Sequence, residues 1–406
     1  VTSVLIDNLA QLATPRPGPG PARGDELAAV EVTGPAAIAV VDGRIAAAGA
    51  RDEVRGAHPD LPTHDAGGRA ALPGLIDCHT HAAFGGDRAG EFELRSQGAG
   101  YEQIHAAGGG IGASVRDTRA AAADGTLAAA LGRHLAWMAA AGTTTAEVKS
   151  GYGLDRDTEL AMLDAAAAPH PIEVVPTYLG AHSVGPEWED GDAYIEFVIE
   201  QVLPDAAARA EAADVFLERG AFDRDQAGRY LRAAAGYGLA LRLHADQFSE
   251  AGGVPLAIEL GARSVDHLEV TRTAGVAALA RSDVAAVLLP ACALMLDLPR
   301  PPARDLIDQG AIVALATDFN PGSAFCNSLP LVMSLACMQL RMTPAEALTA
   351  CTRNAAWVLG RACRLGCLAP GYDGDVVLLE SDDWRHAAYH LGGPVVSDVF
   401  KAGRLL

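Results

Sequence analysis

Through the middle of the chain, short apolar runs alternate with longer amphipathic or alanine-rich stretches. Eight runs read as strands: 72–81 (LPGLIDCHTH), 143–151, 172–182, 213–220, 239–246, 263–269, 283–290 and 311–318. Several of them, such as DVAAVLLP and AIVALATD, are continuously apolar, as parallel strands covered on both faces are. Helical patterns separate most of the runs, which predicts repeated strand–helix units on a parallel sheet. Eight such units over about 250 residues match the size of a (β/α)8 barrel of the TIM type. An open, doubly wound sheet is the second option, but no glycine-rich dinucleotide fingerprint follows the first strand.

The two ends are patterned differently. The first 70 or so residues are strand-like, and AIAVVDGRIAAAG sets Asp42-Gly43 between two apolar runs, a strong hairpin signal. Residues 14–24 (TPRPGPGPARG) read as a loop, and GDVVLLE and VSDVFKAGRLL near the other end read as further short strands. The simplest assembly is a small β-sandwich domain from residues 1–70 plus 365–406, flanking a barrel over 71–364. The alanine-rich stretch 120–141, broken by Asp124, Arg133 and His134, reads as a soluble helix. No segment reaches the ~18 uninterrupted apolar residues of a membrane span. The opening VTSVLIDNLAQLATP lacks the cationic and apolar regions of a signal peptide.

Composition narrows the partners. Half of the 406 residues are apolar and 20% are charged, a globular profile. The net charge of −20 argues against nucleic acid, whose phosphates need a basic surface. Lysine occurs only as Lys149 and Lys401, so there is no polybasic membrane patch. An anionic substrate therefore needs a local cationic pocket. The seven cysteines are odd in number, and only Cys363 and Cys367 lie close together, which favours reduced thiols in the cytoplasm over a zinc finger or a disulfide framework.

The chemistry gathers at the strand ends. The first strand ends in His79 and His81, the third in His182, the fifth in His244, the sixth in His267 and the eighth in Asp318. In a barrel these C-terminal ends converge on one face, where active sites lie. His79 and His81 are two apart on a strand, so both imidazoles point the same way and can reach one ion. An isolated HxH is a weak motif and a lone strand-end His is usually a satisfied buried group, but the set is not isolated. His79, His81, His244 and Asp318 make a ligand set suited to one divalent ion, Zn²⁺ or Fe²⁺. His267 could be a further ligand, or an imidazole that stabilises an oxyanion or shuttles a proton.

PGLIDCHTH, LHAD, VDHLE and ATDFNPGS together resemble the amidohydrolase superfamily. HAAFGGDRAGEFELR (81–95), GGGI (108–111), TTTAEVKSGYGLD (143–155), YLGAHSVGPE (178–187) and ATDFNPGS (316–323) narrow the resemblance. They point to the branch that opens 4-imidazolone-5-propanoate to N-formimidoyl-L-glutamate in histidine degradation. The likeness runs from about residue 70 to residue 360. It implies metal ligation by His79, His81, His244 and Asp318. It implies substrate contacts at Arg88, Tyr152, His182, Gln247, Asn320, Gly322 and Ser323, and a homodimer. Arg88 offers a planar fork that suits a carboxylate, although pairing with Asp87 or Glu91 is the plainer reading of an arginine there. Asn320 and the backbone of Gly322 and Ser323 offer donors beside Asp318.

Members of the superfamily differ after the fifth-strand histidine, and some carry Glu where this chain has Gln247. A neutral amide cannot act as a general base, which leaves that role to Asp318, with His267 and His182 as its catalytic companions. A carboxylated lysine bridging two metals is the other arrangement the superfamily implies. Lys149 sits on the second strand and Glu218 on the fourth, and neither supports it, so a single ion is expected. A nucleobase deaminase shares the HxH and the later His and Asp, but Gln247 is a poor replacement for its catalytic Glu. A scaffold that has lost activity would lack a ligand or base, and none is missing.

Overall fold

In the computed structural model, which describes residues 3–18, 20–98 and 108–406, the eight apolar runs form one parallel sheet in sequential order. Its strands are Leu75–Asp77, Thr143–Lys149, Glu173–Ala181, Ala212–Leu217, Ala240–Ala245, Ser264–His267, Ala285–Leu288 and Ile312–Leu315. Helices follow the strands and cover the sheet, so the architecture is the expected (β/α)8 barrel. The seam between the first and eighth strands closes only above their C-terminal ends. There the His81 N–H donates to the Phe319 carbonyl at 2.9 Å and the Asp318 N–H to the His79 carbonyl at 3.1 Å. Below them Asp77 accepts from the Thr317 N–H at 3.1 Å and its hydroxyl at 2.6 Å. Three of the candidate metal ligands, His79, His81 and Asp318, are thus among the residues that close the barrel.

Both termini build the second unit. One sheet orders Arg404–Leu405, Val396–Lys401, Val376–Leu379, Ala70–Pro73, Gln11–Pro15 and Val30–Thr33; the other orders Arg44–Ala50, Ala36–Val41, Val4–Leu9 and Thr63–Asp65. Ile6, Leu12, Ile38, Val40, Val376, Leu378 and Phe400 pack between them. Asp42 (φ 49°) and Gly43 (φ 80°) form the expected tight hairpin turn.

Two local readings change. The strand Gln11–Pro15 takes Thr14 and Pro15 out of the expected 14–24 loop, because both pair with the strand Val30–Thr33. The rest of that segment reaches the barrel: the buried Arg353 donates to the carbonyls of Arg16 at 3.0 Å and Gly20 at 2.7 Å, and Asn354 clasps both backbone groups of Ala22. The alanine-rich stretch is two helices, Ile111–Ala123 and Leu127–Ala140, because Asp124 turns back onto the Thr126 N–H and Gly125 takes φ +77°. Among the described residues no helix is long and apolar enough to cross a membrane.

Candidate metal centre and active site

The barrel interior follows from strand periodicity. Alternate residues of each strand point inward, and here several inward positions are charged rather than apolar. Glu147 and Lys149 come from the second strand, Asp214 from the fourth, Arg242 and His244 from the fifth, and Asp266 from the sixth; all are buried. Lys149 Nζ lies 2.8 Å from Glu147 Oε1 and 2.7 Å from Asp214 Oδ2, and Arg242 Nη1 lies 3.1 Å from Glu147 Oε1. Unpaired, these charges would be prohibitively costly to bury. Paired, they form a floor beneath the histidines.

That floor aims the imidazoles. His79 Nδ1 is 2.6 Å from Asp266 Oδ2, and His244 Nδ1 is 3.1 Å from Asp214 Oδ1. A carboxylate on one ring nitrogen fixes the tautomer and leaves the other nitrogen's lone pair facing the site. Those far nitrogens converge. His79 Nε2 and His81 Nε2 lie 3.6 and 3.5 Å from Asp318 Oδ1, and His81 Nε2 lies 3.1 Å from His244 Nε2. His79 Nε2 is buried with no hydrogen-bond partner among the described residues. A buried nitrogen without a partner, two imidazole nitrogens face to face and a carboxylate oxygen between them fit a cation at their centre. Donor atoms of His79, His81 and Asp318 lie within 4.8 Å of one another, as do those of His79, His244 and His267.

Electrostatics match this arrangement. Burial lowers the pKa of His79 and His81 well below the ordinary imidazole value and that of His244 to about 3, so all three rings are neutral donors at pH 7. Burial raises the Asp318 pKa to about 6, against the opposing influence of His267 and hydrogen bonds from Cys292 and Asn320. Burial alone would lower the His267 pKa, but Glu269, 3.3 Å from its Nδ1, together with Asp318 raises it instead. Backbone strain concentrates here too: Asp246, His267, Leu268 and Asp318 all have positive φ, between 55° and 84°.

The other expected residues surround this centre. His182 stacks on His81 with ring centroids 5.0 Å apart, and its Nδ1 lies 2.9 Å from the Gly151 carbonyl. Tyr152 is buried, 5.8 Å from the His81 ring and 5.3 Å from His182. Burial and Asp318 push its pKa well up, so it carries a neutral hydroxyl. Gln247 Nε2 lies 3.5 Å from Cys292 Sγ.

Arg88 pairs bidentately with Glu91, Nε to Oε2 at 2.7 Å and Nη2 to Oε1 at 2.6 Å, yet it is no surface pair. Its side chain is only 15% exposed, and its Nη1 reaches so close to Gly322 that a Cβ there would sit 1.8 Å away. Asn320 is tied into its own loop. Its Nδ2 donates to the Asp318 carbonyl at 2.6 Å and to Ser323 Oγ at 2.8 Å, while its Oδ1 accepts from the N–H groups of Gly322 and Ser323. These bonds close the loop locally, as an Asn side chain two residues before a turn does.

Lys149 and Glu218 have other partners as well. Burial works to lower the Lys149 pKa, but Asp214 and Glu147 raise it, so it is an ammonium and not the free amine that carboxylation needs. Glu218 accepts from the backbone N–H groups of Phe248 and Ser249 at 2.8 and 3.0 Å, holding the loop that carries Gln247.

The geometry now has a family. Residues 70–406 match the model of the amidohydrolase family. The chain belongs to the amidohydrolase family. Similar curated relatives of this amidohydrolase are the imidazolonepropionases of Rubrobacter xylanophilus, 60% identical over all of this chain and 99% of the relative, and of Chloroflexus aggregans, 48% identical over 99% and 98%. The imidazolonepropionase of Deinococcus radiodurans is 46% identical over the full length of both chains. Solved structures give the same fold at low identity. An adenosine deaminase from Xanthomonas campestris with bound zinc superposes with a TM-score of 0.70 at 17% identity, covering 99% of this chain and 92% of its own. Guanine deaminase of E. coli gives 0.71 at 15%, covering 100% and 98%.

Several members of the site were not singled out from sequence: Asp214, Asp266, Arg242, Glu269 and Cys292. The usable signal was a charged residue inside an otherwise apolar strand two positions before a strand-end ligand, as in Arg242-Leu243-His244.

Proposed function

We propose that this amidohydrolase hydrolyses the ring C–N amide bond of 4-imidazolone-5-propanoate to give N-formimidoyl-L-glutamate, the step of histidine degradation that its full-length relatives are named for. The observation that carries the reading is the convergence of three neutral imidazoles and Asp318, with His182 stacked on His81 and Tyr152 beside both rings. The division into a 71–364 barrel and a 1–70 plus 365–406 sandwich belongs to the same reading, as do a cytoplasmic setting and a homodimer.

His79, His81, His244 and Asp318 are the residues to hold one divalent ion, Zn²⁺ or Fe²⁺. Bound there, such an ion would supply Lewis-acid polarisation and a lowered pKa for water. The chain's own groups do the rest. Asp318, with its pKa raised to about 6, takes a proton from the attacking water and returns it to the departing ring nitrogen. His267, kept protonated more readily than an ordinary imidazole, donates to the oxygen that gains charge.

The Gly151 carbonyl can only accept, so His182 Nδ1 donates to it and Nε2 is left as an acceptor. Burial lowers the His182 pKa to about 4, so the ring stays neutral and can receive a ring N–H of the substrate, which orients the imidazolone. Tyr152 donates its hydroxyl and Gln247 positions substrate by its amide. Arg88, braced by Glu91, presents Nη1 to the propanoate, beside Gly322, Ser323 and Asn320. The test is metal analysis of the purified protein together with a spectroscopic assay of imidazolone loss. Metal-replete protein that leaves the imidazolone intact would overturn the reading.

A further inference from the structure

The loop between the second barrel strand and the next helix carries Tyr152 and, through the Gly151 carbonyl, sets the tautomer of His182. Its backbone is irregular, with φ +107° at Gly151 and +54° at Leu154. It is also crowded. A Cβ on Gly151 would lie 2.8 Å from the Leu179 carbonyl oxygen and 3.1 Å from His182 Nδ1, and one on Gly153 would lie 2.7 Å from the Glu159 nitrogen. Gly151, Tyr152, Gly153 and Leu154 are all buried, so their N–H groups need partners other than water.

One side chain provides them for three of the four. Glu159 Oε1 accepts from the N–H groups of Gly153 at 2.8 Å and Leu154 at 2.9 Å, and both its oxygens lie within 3.1 Å of the Gly151 nitrogen. Glu159 is 1% exposed. It sits in the first turn of the helix Arg156–Ala167, but the helix does not depend on it for a cap, because the Asp155 side chain already accepts from the Thr158 N–H at 2.8 Å. Burial raises the Glu159 pKa, while the hydroxyl of Ser150 and the three backbone N–H groups pull it back. A carboxylate is thus drawn out of water to face the loop alone.

We infer that Glu159 is a positioning residue for the ring-opening reaction: by collecting the N–H groups of Gly151, Gly153 and Leu154 it fixes the loop that aims Tyr152 and sets the acceptor nitrogen of His182. The inference rests on the reading given under Proposed function. It predicts coupling, since a residue that acts through this loop loses the part of its effect that passes through Tyr152 once that hydroxyl is removed.

The experiment uses the full-length, metal-loaded protein with 4-imidazolone-5-propanoate. Glu159→Gln keeps the volume but turns an amide toward N–H donors. It is expected to lower kcat/KM about 10- to 100-fold, the scale of a roughly 1 Å misplacement, with the metal content per chain unchanged. In a Tyr152→Phe background the same change is expected to cost less than it does in the wild-type background, the remainder passing through His182. Glu159→Asp, which keeps the charge, is expected to recover activity above Glu159→Gln.

Three results would overturn the proposal: folded Glu159→Gln within about twofold of wild type, the same loss repeated in the Tyr152→Phe background, or Glu159→Asp no better than Glu159→Gln. If Glu159→Gln does not fold, Glu159→Asp in both backgrounds carries the test. Should wild type fail to consume the imidazolone, the substrate reading falls while the loop claim is still measured by amide exchange at Gly151, Gly153 and Leu154. Exchange there is expected to accelerate in the Glu159 variants with His79 and His81 segments unchanged, and unaltered exchange would sink it.

Discussion

His79 and Asp266 form a wholly buried pair, Nδ1 to Oδ2 at 2.6 Å, at the base of the candidate metal centre. The carboxylate orients the ring so that Nε2, which has no hydrogen-bond partner among the described residues, faces the cluster. Removing the charge should therefore weaken metal binding without removing a ligand. Asp266→Asn is expected to reduce metal affinity about 10- to 100-fold, read by competition with a chelator of known strength. An unchanged affinity would mean that packing alone fixes the ring.

Asp318 is asked both to hold the ion and to carry a proton. Asp318→Asn keeps the shape and one ligand oxygen but cannot accept the proton. Turnover should fall on the order of 10²- to 10⁴-fold with the far-ultraviolet circular dichroism unchanged. Metal content of the variant separates the two roles: a replete but inactive protein identifies proton transfer, and near-normal rates would place the base elsewhere.

Arg88 and Gly322 make a linked prediction. Arg88→Ala removes the cation opposite the proposed propanoate and should act mainly on KM. Gly322→Ala introduces a Cβ 1.8 Å from Arg88 Nη1, so the guanidinium must withdraw. Its KM should rise in the same direction although no charge is lost. Steady-state kinetics of both variants check this, and an unchanged KM in Arg88→Ala would move the carboxylate anchor to another residue.

These residues also show how far the sequence carries. The eight strands were legible because long apolar runs separated by helical patterns have few other meanings, and the ligands were legible because histidine is rare and five of twelve stand at strand ends. Asp214 and Asp266 were not, since an acidic residue within a strand has no local mark of its partner: His244 is 30 residues from one and His79 is 187 from the other. Asn320 shows the opposite difficulty. Its place in the motif suggested substrate contact, while its hydrogen bonds close its own loop, a matter of side-chain direction that residue type does not encode.

Glu173 offers a test of what joins the barrel to the terminal sheets. It begins the third barrel strand and receives Arg361 Nε at 3.0 Å, the Arg364 guanidinium, and Lys401 Nζ at 3.5 Å from the terminal sheet. Burial works to raise its pKa, but the three cations prevail and hold it at about 2. The unfolded chain has a glutamate pKa of about 4.3. Because the folded value is the lower one, the unfolded state binds more protons between the two. The stabilisation is thus complete above about pH 4.3 and is lost as pH falls through about 2. Glu173→Gln removes this source of acid sensitivity. In urea titrations from pH 6 down to pH 2.5, the wild-type midpoint should fall more steeply than that of the variant, and the two should differ most at pH 6. Parallel curves would show that the three cations gain nothing from the charge of Glu173.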